Sequence, residues 1–315
     1  MYQQLTQEER YQIKAYKESG LPLRAIARKL TRAASTITRE LTRNTGKRGY
    51  SAKQAQEKAE VRRYTAIKAI KLDKAMQQQL EIYLRQDWSP EQIIGYCREN
   101  GIPMVSHERI YLHIWADMTN DGTLHEHLRH QRKRYKKRYG KYDKRGTIPD
   151  RVSIDERPVI VEEKSRIGDW EGDTIIGKGH KGAVVTLVER KSKLTLALQV
   201  DKKTEENVTA AIIALLKPYQ SVVHTITFDN GKEFTNHKMV AKTLGADVYF
   251  AHPYHSWERG LNENTNGLIR QYLPKAMVLR NIAPATIIDI TNKLNNRPRK
   301  TLNFKTPFDI FHKAA

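Results

Sequence analysis

Five carboxylates in the second half of this chain sit where they could share one reaction. Asp169, Glu171 and Asp173 alternate through "DWEGDTIIG" (169–177), so in a strand they lie on one face. Asp229 ends the alternating apolar run "HTITF" (224–228) and opens Asp229-Asn230-Gly231. Glu263 lies in a segment with helical periodicity, where Arg259, Glu263, Asn266 and Arg270 fall on one polar stripe and leave Leu261, Leu268 and Tyr272 to pack elsewhere. Acids from two strands and a helix can converge, but bare carboxylates 4 Å apart repel by about 4 kcal/mol per pair at an effective dielectric near 20. Hard cations remove that cost. Mg²⁺ takes carboxylate oxygens and water, and two ions about 3.5–4 Å apart activate a nucleophile and stabilise a leaving oxygen on phosphorus. Each acid alone has an ordinary reading: Asp-Asn-Gly is a turn signal, and Glu263 is a helix-surface acid. Alternation does not choose among Asp169, Glu171 and Asp173.

The elements that must carry these acids alternate strand and helix from about residue 155. "GAVVTLVER" (182–190) and "KLTLALQV" (193–200) are hairpin partners of one another after the 169–177 strand, joined by the short turn at Lys191-Ser192. A helix over 204–219 has Thr204 at its N-cap. A fourth strand ends at Asp229, a helix covers 236–245, a fifth strand covers 247–251, and a last helix runs from about Glu258 to Tyr272. Three strands followed by αβαβα predict a mixed sheet with helices packed on it. Asp229 then falls at a strand end, where α/β sheets bind ligands.

The chain holds 315 residues and a formal net charge of +21, from 56 Lys+Arg against 35 Asp+Glu. That excess implies a polyanionic partner, most often nucleic acid. It is uneven: residues 1–150 carry 31 basic and 17 acidic side chains, the remainder 25 and 18. Cys97 is the one cysteine, which excludes an intrachain disulfide and a cysteine-based zinc site and suits a reducing cytoplasm. The polar start and the absence of long apolar runs predict neither signal core nor membrane partner.

The first 120 residues read as helices. Thr6 and Glu9 form a capping box, Gly20 is a stop, and Leu23, Ile26, Ala27 and Leu30 repeat at helical spacing after Pro22. A third helix follows over "STITRELTRN" (35–44), with Ser35 as expected N-cap, Ile37 and Leu41 inward, and Thr36, Thr38, Arg39 and Arg43 outward. Small hydroxyl residues and arginines on the last of three short helices fit a helix-turn-helix entering the major groove. The segment 88–115 repeats the pattern with weaker chemistry, so DNA contact and plain packing are both open there. "RHQRKRYKKRYGKYDKRG" (129–146), including Arg132, Lys133 and Arg134, reads as a basic, tyrosine-interleaved arm that tracks phosphates. "HEHLRH" (125–130) is not HExxH, and zinc is not expected there. The expected organisation is a helix-turn-helix domain at 1–65, a second helical domain at 70–120, a basic linker at 121–150 and a catalytic domain at 151–315.

Four segments, "RIGDWEGDTIIGKGHKGAVVTLVERKSK" (166–193), "VHTITFDNGKEF" (223–234), "YFAHPYHSWERGLNENTNGLIRQYLPK" (249–275) and "LNNRPRKTLNFKTP" (294–307), resemble the DDE transposases of the insertion-sequence-thirty family, as does "LTRAASTITRELTRN" at the N-terminal side. The resemblance implies an α/β architecture in which the helix-turn-helix part precedes a ribonuclease-H-like catalytic domain. It selects Asp173, Asp229 and Glu263 as triad and metal ligands, with 33 residues between the last two. It implies two Mg²⁺ ions, replaceable by Mn²⁺, and a duplex partner: the terminal inverted repeats of an element, and target DNA. A phosphodiester at each end would be hydrolysed, and the freed 3′-hydroxyl would attack another phosphodiester. Arg270 matches a basic residue near DNA, and Arg259 and Asn266 share its stripe. Tyr254 and Trp257 are candidates to stack on end bases. A homodimer or higher homo-oligomer on DNA, in the bacterial cytoplasm and at the nucleoid, is expected. The alternatives are a DNA-binding regulator that no longer cuts and a nuclease without strand transfer.

Overall fold

The computed structural model describes residues 4–65, 71–129, 148–253 and 255–314. The chain divides into two compact units, Met1–Ala69 and Ile70–Ala315.

The first unit is helical: α1 (Gln7–Glu18), α2 (Leu23–Lys29), α3 (Ala34–Asn44) and α4 (Ala52–Thr65). The capping box at Thr6 forms as expected, with Glu9 accepting from the Thr6 amide at 2.7 Å and Thr6 accepting from the Glu9 amide at 3.2 Å. Ile13, Ile26, Ile37 and Leu41 meet with Tyr50 and Ala55 in the core. One buried ion pair crosses it: Arg10 donates to Glu40 at 2.9 Å, and the Tyr50 hydroxyl donates to the same carboxylate at 3.1 Å. Ser35 is not the N-cap of α3. Thr31 takes a positive φ and Ala33 is extended, so the cap falls two residues earlier. Ala33 is then the cap, without a side-chain bond, and Ser35 lies exposed in the first turn.

The second unit opens with α5 (Lys74–Arg85), α6 (Pro90–Glu99) and α7 (His107–Thr119). After the short α8 (Val159–Glu163) come β1 (Asp169–Ile176), β2 (Ala183–Glu189) and β3 (Thr195–Val200). Then follow α9 (Glu205–Leu216), β4 (Thr225–Phe228), α10 (His237–Leu244), β5 (Asp247–Phe250), α11 (Gly260–Tyr272), α12 (Pro284–Asn295) and α13 (Pro307–Ala314). The sheet order is β3-β2-β1-β4-β5. β1 to β3 are antiparallel neighbours, while β4 and β5 run parallel to β1. One face buries Trp170, Ile226 and Phe228 against α9 and α10. The other buries Ile175 and Val184 against Leu268, Ile269 and the α12 residues Ile287 and Leu294. The edge strand β3 is covered by Asn295, which both donates to and accepts from the Thr195 backbone at 2.8 Å.

The helices expected as a separate domain at 70–120 belong to the same compact unit as the sheet. Asp87 explains much of this. It is buried at a positive φ and accepts from His127 at 2.8 Å, from the Tyr272 hydroxyl at 2.8 Å and from Lys293 at 3.1 Å. The last two lie on α11 and α12. Burial pushes this carboxyl upward, but the three hydrogen bonds outweigh it and hold it below the usual carboxylate range. His127 of the "HEHLRH" stretch is thus engaged by a structural carboxylate.

Candidate active site

The three acids of β1 face one side of the sheet and have different surroundings. Asp169 is fully buried: Arg166 grips it through two bonds of 3.0 Å, and the Thr225 hydroxyl of β4 donates to it at 2.8 Å. Glu171 is 2 % exposed. Arg190 donates to one of its oxygens at 2.6 Å, and the Asn262 amide, in the first turn of α11, donates to the other at 3.1 Å. A carboxylate on the free amides of a helix N-terminus satisfies those donors and complements the helix dipole. Asp169 therefore ties β1 to β4, and Glu171 seats the helix that carries Glu263. Asp173, with its side chain 24 % exposed, is left open.

Asp229 belongs to the same opening. β1 and β4 pair in parallel as Asp169↔Thr225 and Glu171↔Thr227, and continuing that register sets Asp173 opposite Asp229. Its side chain is 31 % exposed, and one oxygen accepts from the Gly231 amide at 2.9 Å, so the turn expected at Asp-Asn-Gly also orients the acid. Gly172 makes room for this arrangement: a Cβ there would stand 2.3 Å from the Phe228 ring.

α11 supplies the third side. Asn266 donates to Asp173 at 2.9 Å and accepts from Thr186 of β2 at 2.9 Å. Arg270 donates to the Ile176 carbonyl at 2.8 Å. Arg259, just before the helix, donates to the Gly172 carbonyl at 3.0 Å and stands 3.9 Å from Asp173 and 3.5 Å from Asp229. These contacts turn Arg259, Asn266 and Arg270 toward β1. Glu263 occupies the middle of the polar stripe, exposed. Arg259 and Asn266, expected near the DNA, are engaged with the carboxylates, and Arg259 is 8 % exposed. Arg270 holds strand and helix backbone together.

Burial pushes the Asp173 carboxyl above its usual range; Arg259 draws it back, and the charge of Asp229 raises it again. Glu233, passed over in the sequence although it stands in "DNGKEF", is a nearby buried acid that adds to this effect. It accepts from Thr174 at 3.0 Å and pairs with Lys203 at 2.6 Å. The donors of the opening are carboxylate oxygens, the hard ligands that divalent cations such as Mg²⁺ take, and a guanidinium between two of them marks it as a place that holds positive charge. The residues fit a divalent ion.

On the first unit, Ser35, Thr38, Arg39 and Arg43 are exposed along α3, and Thr36 is half-buried. The Thr38 hydroxyl bonds back to the Ala34 carbonyl at 3.1 Å. Arg39 and Arg43 line a concavity of about 390 Å³ together with Arg62 and Arg63 of α4, two residues with no distinguishing pattern in the sequence. Arg132, Lys133, Arg134, Tyr254 and the side chain of Trp257 lie outside the described residues.

A groove-sized helical unit and a mixed sheet carrying clustered acids together define an enzyme that works on DNA strands. Residues 1–44 match the helix-turn-helix domain family and residues 163–256 the integrase core domain family. The chain is 45 % identical over 313 residues to the transposase for insertion sequence element IS4351 of Bacteroides fragilis, covering 99 % of this chain and 96 % of that protein. It is 38 % identical to the transposase of IS1086 from Cupriavidus metallidurans, over 98 % and 94 % of the two chains. It is 35 % identical to the transposase InsI of IS30C from Escherichia coli K12, over 99 % and 84 %. The chain belongs to the IS30 family of insertion-sequence transposases, and it is a DDE transposase.

Proposed function

We propose that Asp173, Asp229 and Glu263 are the catalytic carboxylates of this transposase and that they hold two Mg²⁺ ions, with Mn²⁺ an adequate substitute. The observation that carries this reading is the division of labour on β1: Asp169 and Glu171 are closed by ion pairs and hydrogen bonds, while Asp173 opens beside Asp229. When bound, such ions sharpen the nucleophile and absorb charge on the leaving oxygen. The chain does the rest. Asn266 fixes the orientation of Asp173, the Gly231 amide fixes that of Asp229, and Glu171 fixes the start of the helix bearing Glu263. Arg259 offers the guanidinium nearest to the charge that builds up on phosphorus. A phosphodiester at each element end is hydrolysed, and the 3′-hydroxyl so freed attacks a second phosphodiester and joins the strands. No covalent bond to the protein is required.

In this reading residues 1–65 recognise the terminal inverted repeats through α3, with Ser35, Thr36, Thr38, Arg39 and Arg43 toward DNA. The basic arm at 129–146, within the linker at 121–150, holds backbone phosphates, residues 70–120 brace the catalytic domain at 151–315, and Tyr254, Trp257 and Arg270 stand near the DNA. The protein acts as a homodimer or higher homo-oligomer on DNA, at the nucleoid in the cytoplasm. Among the described residues no helix is long and apolar enough to cross a membrane. Purified protein, labelled element ends and Mg²⁺ test the reading, with nicking and joining both scored. Binding to the ends without cleavage in either Mg²⁺ or Mn²⁺ would favour a regulator.

A further inference from the structure

The segment "LNNRPRK" after α12 contains two arginines that the carboxylate site does not use. Arg297 is 3 % exposed; it donates to the Tyr272 hydroxyl at 2.6 Å, and its Nε has no partner among the described residues. Arg299 donates to the Leu294 carbonyl at 3.0 Å, and its buried Nε also has none. A third guanidinium, Arg129, reaches Asn264 at 3.5 Å and lies so close over α11 that a Cβ at Gly267 would stand 3.1 Å from it. Among the described residues no carboxylate pairs with any of the three. Burial, and then the charges of Arg297 and Arg129, push the Arg299 guanidinium down to about 10.

A cavity of about 470 Å³ opens beside Arg299 and over the α11 residues Gly260, Leu261 and Asn264. Lys164 and Lys193 add positive charge to its wall. The acids in that wall are taken: Glu162 and Glu171 by Arg190, and Glu258 by His252. Buried cations are ordinarily paired, because desolvation and mutual repulsion otherwise count against folding. Arg297 and Arg299, each with an unused buried Nε–H, and the exposed Arg129 at Asn264 have no acid among the described residues, and together they form a site that lacks its anion. Planar guanidiniums match the two free oxygens of a phosphodiester.

We propose that Arg129 and Arg299, backed by Arg297, clamp a backbone phosphate of the DNA. The clamp lies on the helical face next to Glu263: Asn264 and Gly267 follow Glu263 and Asn266 by one residue each, about 100° around α11. A strand gripped there runs alongside the carboxylate opening. The inference takes from the proposed function only that DNA is the partner, and its test involves no cutting.

The test is binding of the full chain, in Ca²⁺, to a random-sequence duplex over a series of KCl concentrations. The paired substitution Arg129→Gln with Arg299→Gln should flatten the slope of log K against log[salt] by about 0.9 for each phosphate that is no longer neutralised. It should weaken binding to random and element-end duplexes by the same factor. Arg299→Lys, which keeps the charge, should recover most of the slope. Arg129→Gln alone, at an exposed position, should give part of the effect in a protein that melts like the parent. The melting temperature of the paired variant should hold or rise, because repulsion is relieved. An unchanged slope with a lower melting temperature would show that the arginines only pack. An unchanged slope with loss of an oligomer by sedimentation would show that carboxylates of a second copy fill the site. Either result overturns the clamp.

Discussion

Replacing Asp173 and Asp169 in turn by asparagine separates the open acid from the closed one. At Asp173 the amide removes two opposed interactions, while the hydrogen bond to Asn266 survives because the Asn266 amide can turn over, accept from the new N–H₂ and donate to the Thr186 hydroxyl. Repulsion from Asp229 across neighbouring parallel strands, about 4.8 Å apart, is worth about 3 kcal/mol at an effective dielectric near 20. Attraction to Arg259, whose nitrogen stands 3.9 Å away, is worth about 4 kcal/mol on the same scale. Both are reduced by solvent at this half-open position. The difference leaves Asp173→Asn within about 1 kcal/mol of the parent in stability, a shift of about 2–4 °C at most. At Asp169 the amide turns an N–H₂ group toward Arg166 or Thr225 in a dry interior and breaks a pair held by two bonds of 3.0 Å. Breaking a buried pair costs about 3–5 kcal/mol, here nearer 3 because Arg166 can turn to water. That corresponds to about 6–12 °C for a unit of this size. Thermal unfolding without metal, Mn²⁺ binding by calorimetry, and cleavage of labelled element ends are measured on both variants. Asp173→Asn should melt like the parent, bind Mn²⁺ weakly and cut nothing. Asp169→Asn should melt early and still cut below its melting range. An Asp169→Asn protein that melts normally but no longer cuts, beside an Asp173→Asn protein that cuts, would refute the assignment.

Glu263→Gln and Asp229→Asn should abolish nicking and joining together while binding of the terminal repeats persists, which gel-shift and cleavage assays on one preparation can compare. Arg39→Ala on α3 should reduce discrimination between element ends and random DNA by about 1–3 kcal/mol, read from competition binding; equal weakening on both duplexes would show a phosphate contact instead. Neutralising Arg132, Lys133 and Arg134 should weaken binding to all duplexes alike and flatten the salt dependence, and a change confined to specific sites would show that the arm reads bases. The Glu258 and Asp155 carboxylates hydrogen-bonded to His252 raise this histidine above its ordinary 6.5. Its tether on the loop before α11 is therefore present below 6.5 and lost as the pH rises through the raised value. An NMR titration should show that shift, and Glu258→Gln should bring it back toward 6.5.

Much of the architecture was legible in the residue order because it rests on local rules. The capping box at Thr6, the period of two through 169–177, the hairpin of β2 and β3 and the helical stripe from Arg259 to Arg270 are short-range patterns, and each forms where its spacing placed it. Charge balance pointed to a polyanion for the same reason: it is a sum over residues and needs no fold. The N-cap of α3 escaped because the turn at Thr31 and Ala33, not a side chain, sets its start. What the order of residues left open was which acid on β1 is free. Asp169, Glu171 and Asp173 are equivalent by period, and their partners Arg166, Thr225, Arg190 and Asn262 come from a preceding loop, another strand, the end of β2 and another helix. Asp87, unremarkable in sequence, joins three distant elements, and Arg129 and Arg299 both come to the Asn264 side of α11 only because α11 and α12 pack on one sheet face. Periodicity tells which residues share a face. Only the packed chain decides which of them has its charge answered and which is left open to bind something else.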